Sequence, residues 1–104
     1  MVINKNIKEK AEEFIKELQK HKIRISNAFI YGSYAKGTAR IDSDIDLALI
    51  SPDFSGNRYL DSIKIIPLRR KIDSRIEPVT FRPEDFDEID PLATEIKKYG
   101  IKLK

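Results

Sequence analysis

Two aspartates two positions apart, Asp44 and Asp46, stand at the head of an apolar run formed by Ile45 and Leu47 to Ile50. Residues i and i+2 of a strand project from one face, so the pair would hold two carboxylates side by side. Like charges so placed repel each other and call for a cation between them. Hard oxygen donors of this kind suit Mg²⁺, which is commonly shared between a carboxylate or two and the phosphates of a substrate. Upstream, Gly32-Ser33 closes another apolar run. Gly32 lets the backbone approach a ligand closely. Ser33 reads as the N-cap of a short helix over Tyr34 to Lys36, whose unpaired amides form an anion site. The Ser33 hydroxyl can reach a terminal phosphate, and Lys36 and Arg40 can neutralise phosphate charge. A second metal ion needs a further acid, which Glu77 offers from a later strand, with Asp73 as the alternative. Two such ions could activate an attacking oxygen and stabilise a leaving pyrophosphate. The set points to a nucleoside triphosphate.

Rival motifs fail on spacing. A P-loop needs Lys directly after its second glycine, but Gly37 is followed by Thr38. Asp42, Asp44 and Asp46 imitate the start of an EF-hand loop, which needs glycine where Leu47 stands.

The elements that must position these residues follow from periodicity. Ile7, Ala11, Phe14, Ile15 and Leu18 mark a helical stripe, capped at Asn4 or Asn6 and ending near His21, read as a solvated helix-end residue. Ile23 to Tyr31 reads as the first strand. The run from Ile45 to Ile50 is almost continuously apolar, which places it centrally, and Ser51-Pro52 stops it. Arg58 to Ile72 is a helix that Pro67 must kink or divide. The Arg69-Arg70-Lys71 run on it reads first as a solvated face, with contact to phosphate or an acidic partner as the alternative. Arg75 to Phe81 is a strand whose Pro78 argues for an edge. Asp90-Pro91 starts a last helix that Gly100 ends. The order α-β-α-β-α-β-α implies an α/β (α+β) domain, a small mixed sheet flanked by helices, over residues 1–104 as a single unit.

Composition excludes more than it selects. The 104 residues suffice for one modest core. Without Cys there are no disulfides or thiolate sites. The net charge of +3, from 20 basic and 17 acidic residues, is too small to argue for direct nucleic-acid binding. No apolar run approaches a membrane span and no signal-peptide pattern is present, so a cytoplasmic protein is expected.

Gly32-Ser33, ten intervening residues, then Asp44-Ile45-Asp46 resembles the signature of the DNA polymerase β-like nucleotidyltransferase superfamily, above all its minimal nucleotidyltransferase domains. The resemblance covers nearly the whole chain. It implies that Asp44 and Asp46 bind Mg²⁺, that a carboxylate on the next core strand (Glu77) completes the triad, and that Ser33 holds triphosphate. Minimal domains of this kind commonly pair with a HEPN-domain protein in toxin–antitoxin modules. The resemblance therefore implies an antitoxin that transfers AMP from ATP to a tyrosine of a HEPN ribonuclease, in a possible hetero-oligomer with it. Two alternatives stand beside it. One is neutralisation of the partner by binding alone, through exposed apolar residues such as Tyr59, Phe86 and Leu92. The other is nucleotidyl transfer to a small molecule or RNA end.

Overall fold

The computed structural model describes residues 4–104. Helix α1 (Lys5–Lys20) is capped by the Asn4 side chain, which accepts from the Asn6 amide, and buries the five residues of its apolar stripe. Strand β1 (Asn27–Tyr31) leads into a four-residue helix α2 (Ser33–Lys36), then strand β2 (Ile45–Ile50). Helix α3 (Arg58–Ile65) follows, then strand β3 (Ile76–Phe81), helix α4 (Pro91–Tyr99) and the two-residue strand β4 (Ile101–Lys102).

The sheet has the order β3-β2-β1-β4, with β2 and β3 parallel and the other pairs antiparallel. β2 is central, and both its faces are covered. Ile45, Leu47 and Leu49 join Ile30, Ile76 and the α1 stripe in one core cluster. Ala48 and Ile50 join Phe81, Ala93 and Ile96 in a second, under α4. A strand covered on both faces is apolar wherever it is covered, which is why β2 does not alternate beyond Asp46. Each large side chain withdrawn from water here, such as Phe14 or Leu47, stabilises the fold by roughly 1.5–3 kcal/mol.

Edge strand β3 is guarded. The Arg75 and Phe81 carbonyls accept from Ile45 and Ser51, so odd-numbered residues face β2 and positions 76, 78 and 80 face outward. Pro78 thus occupies an outward position, where its missing N–H leaves no orphan donor for a foreign strand. Arg69 Nη1 caps the Ile76 carbonyl at 2.7 Å.

Four expectations need correction. Residues 23–26 are not strand: Ile25 turns into the core while the Arg24 amide bonds the Asp53 carboxylate, so the segment is held by a loop rather than a ladder. Of the two outcomes expected at Pro67 the structure shows division, since α3 stops at Ile65 and a 3₁₀ segment, Ile66–Lys71, begins with Pro67 in its first turn. Within that segment Arg70 and Lys71 are exposed, but Arg69 is half-buried and bonded to β3, so the basic run is not wholly a solvated face. Phe86 and Leu92 are half-buried against the second core cluster rather than exposed. Strand β4 is an addition, pairing Ile101 with Ile30 and Lys102 with Phe29.

Candidate active site

The turn after β1 shows why glycine stands at position 32. Gly32 has φ 72° and ψ −145°, a region almost closed to residues with a Cβ. A Cβ there would lie 2.2 Å from Asp46 Oδ2. The aspartate on β2 therefore sits in space that only glycine leaves open. Gly32, not Ser33, is the N-cap of α2, and Ser33 is the first helical residue. Ser33 thus stands at the start of the helix, whose first amides have no intrahelical acceptor.

Strand pairing gathers the rest. In the β1–β2 register Tyr31 lies opposite Asp46, and in the β2–β3 register Glu77 lies opposite Asp46 on the other side. Asp44 directly precedes β2 and shares parity with Asp46. Asp46 is half-buried, while Asp44 and Glu77 are exposed. Burial, then the charges of Asp44 and Glu77, push the Asp46 carboxyl above its ordinary range. Tyr31 is pushed up to about 12, first by burial and then by the charges of Asp46 and Glu95, with Arg58 opposing.

The positive groups are distributed less simply. Lys36 Nζ lies 3.4 Å from Glu95 Oε1 on α4, so its ammonium is held at the rim in an ion pair. Arg40 is exposed, in the loop that leads to Asp44. That loop is tied down: the Arg40 amide donates to Ser43 Oγ (2.7 Å), and Arg75 Nη1 donates to the Ile41 carbonyl (2.9 Å). Arg75 is in turn gripped by Asp73, whose carboxyl the guanidinium holds below its usual range. Asp73 is thus engaged in bracing the loop. Glu77 accepts from Arg69 Nη1 at 3.2 Å.

Tyr31, Arg75 and Glu95 are neighbours of the site that the sequence alone did not single out. Their only signal was position: Tyr31 precedes the Gly-Ser turn, and Arg75 lies two residues before Glu77.

Among the described residues no group of three or more His, Asp or Glu converges as a finished metal cage. The donor set nevertheless fits a hard divalent cation. Asp44 and Asp46 have no ion-pair partner among the described residues, only a residue without a Cβ at position 32 leaves room for Asp46 Oδ2, and burial, with the charges of Asp44 and Glu77, already raises the Asp46 pKa. A cleft of about 980 Å³ lies elsewhere. It runs between Ser55–Arg58 and Arg82–Asp90, and its arginines are paired with its own carboxylates. The chemistry-bearing residues favour the shallower corner at Gly32.

A family model described as "Nucleotidyltransferase domain" matches residues 8–103. A solved toxin–antitoxin with AMP-PNP is 25% identical, with a TM-score of 0.63 over 90% of this chain and 72% of that one. A solved MntA–HpeT toxin–antitoxin, a double Asp-to-Glu mutant, is 22% identical, with a TM-score of 0.59 over the same shares. No curated protein matches significantly. No helix among the described residues is long and apolar enough to cross a membrane.

Proposed function

The chain belongs to the nucleotidyltransferase family, and from that premise we propose that it is a Mg²⁺-dependent protein adenylyltransferase, an antitoxin that moves AMP from ATP to a tyrosine of a partner HEPN ribonuclease. The observation that carries this reading is the corner where Gly32 yields its Cβ space to Asp46, with Asp44 and Glu77 beside it. The likeness to a toxin–antitoxin with AMP-PNP supports the choice of nucleotide and of partner.

In this reading Asp44, Asp46 and Glu77 hold Mg²⁺. When bound, the ion supplies positive charge to the triphosphate and to the departing pyrophosphate. Ser33 and the first amides of α2 hold the terminal phosphate, and Lys36 and Arg40 offset its charge once Lys36 leaves Glu95. The acceptor tyrosine oxygen forms a bond to the α-phosphorus, the bond from that phosphorus to the β-phosphate bridge breaks, and the phenolic proton passes to solvent. The products are adenylylated protein and pyrophosphate.

Incubating the chain with ATP, Mg²⁺ and the product of its neighbouring gene should add the mass of AMP to a tyrosine of that product. Replacing both Asp44 and Asp46 by Asn should slow transfer by about 10³-fold, the equivalent of several kcal/mol of lost charge stabilisation. An unmodified partner in the wild-type reaction overturns the proposal.

A second reading, neutralisation by binding, is favoured by one observation: Tyr59, Leu60 and Ile63 are exposed together on α3. The same double variant decides between them. Full neutralisation without transfer makes binding sufficient.

A further inference from the structure

We infer that Arg69 is a built-in counter-ion for Glu77 and sets how readily the acid corner takes up a divalent cation; the inference rests on the metal reading above. The argument begins at Pro67. By ending α3 at Ile65 and opening the 3₁₀ segment, it turns the basic run toward the start of β3. Leu68 and Ile72 pack on the core on either side of Arg69, and the Arg69 carbonyl accepts from the amides of Ile72 and Asp73. The backbone that presents this arginine is therefore held by packing and by its own turn.

Its guanidinium is held as well. Arg69 Nη1 donates to the Ile76 carbonyl at 2.7 Å and to Glu77 Oε1 at 3.2 Å. The first bond is to backbone on the outward edge of β3, so the cation cannot follow Glu77 inward. Glu77 can face Arg69 at the edge, or turn toward its register partner Asp46, but not both at full strength. This is the physical reason that no three acids converge among the described residues, although strand register places Glu77 directly beside Asp46. No other cation competes for Glu77 among the described ion pairs. Lys36 is taken by Glu95, and Arg75 by Asp73. A metal ion that recruits Glu77 must break its pair with Arg69, and that opposing contact weakens uptake.

The test is Mn²⁺ binding to the nucleotide-free chain, followed by the electron paramagnetic resonance of the free ion to millimolar concentrations. Arg69→Gln should tighten binding by roughly fivefold, the ceiling for an exposed ion pair. Arg70→Gln removes the same charge from the next residue, which makes no described ion pair, and should change affinity by less than about twofold. In a Glu77→Gln background the two substitutions should become indistinguishable, because Arg69 acts through Glu77. Should the Gln variant fail to fold, Arg69→Met keeps a long stem and serves the same comparison. Equal effects of the Arg69 and Arg70 substitutions, or an Arg69 effect that survives loss of Glu77, overturn the inference alone. A wild-type chain that takes up no Mn²⁺ overturns the metal reading and the inference with it.

Discussion

At the start of β2, Asp44 and Asp46 have no ion-pair partner among the described residues, whereas three acids beyond the strand's far end, Asp53, Asp85 and Asp90, are each gripped by an arginine. Arg24 holds Asp53 with two side-chain bonds and a backbone one, Arg82 holds Asp85 with two, and Arg58 pairs with Asp90 while stacking on Phe81. The same side chain is driven in opposite directions at the two ends. Asp46 is pushed above its ordinary range, and Asp53, Asp85 and Asp90 are drawn below theirs. At the far end the acids serve the fold, by bracing loops and capping α4 through Asp90. At the near end Asp46 opposes it, which is the pattern expected of a group kept for a ligand.

The glycines of the two ends provide the largest contrast. Gly32 and Gly56 both have positive φ, 72° and 94°. A Cβ at Gly32 meets Asp46, fixed on a central strand, whereas a Cβ at Gly56 meets the end of the Arg82 side chain at 2.7 Å. Gly32→Ala should cost the strained backbone, about 1–3 kcal/mol, plus the displacement of Asp46. Gly56→Ala should cost its own backbone strain, about 1–3 kcal/mol, and little more, because the Arg82–Asp85 pair that its Cβ would disturb lies near the surface. Thermal unfolding should separate them by more than about 5 °C at this chain length. Equal losses would mean that Asp46 moves as freely as a surface arginine, and the near end would lose its claim to be a built site.

That contrast also marks what the sequence could and could not disclose. The α1 stripe, the central β2, the edge position of β3 and the Asp90-Pro91 start of α4 were legible because each is fixed by local pattern or by a residue with few options, such as Pro78 or Pro91. The pairing of Glu77 with Asp46 was legible only as an expectation, since register is a property of two strands and not of either one. Strand β4 was illegible because two residues, Ile101 and Lys102, carry no periodicity. Arg69 was only half legible for a related reason. In sequence it is one of three adjacent cations, and only the break at Pro67 and the outward carbonyl of Ile76 distinguish it from Arg70.

The opposed pKa shifts predict opposed pH profiles. Because the folded pKa of Asp46 is raised, its contribution to stability is fully present below the unfolded pKa and is lost as pH rises through the folded value. At neutral pH its charge therefore opposes folding, and Asp46→Asn should raise Tm, on the order of 1–3 °C for a group still partly in solvent. The gain should vanish on acidification, when the wild-type carboxyl is itself neutral. Asp85 has a lowered folded pKa, so its contribution is present above the unfolded pKa and is lost as pH falls through the folded one. Asp85→Asn should lower Tm at neutral pH and converge with wild type in acid. Variants that shift Tm in the same direction at pH 7 would erase the distinction between the two ends.

The smallest effect should appear at Tyr31, the one group that both ends reach. Burial and the charges of Asp46 and Glu95 push its hydroxyl up to about 12, while Arg58 from the far end pulls the other way. Subtracting the phenolate absorbance of a Tyr31→Phe variant from that of the wild type isolates its titration. Asp46→Asn should lower the midpoint by a fraction of a unit and no more, since burial is the larger cause and remains. Arg58→Gln should raise it, by less, because this guanidinium is already committed to Asp90 and to the face of Phe81. If Arg58→Gln moves the midpoint further than Asp46→Asn, the far-end charges are not satisfied by their partners, and the division between a paired end and an open end fails at the residue where the two fields meet.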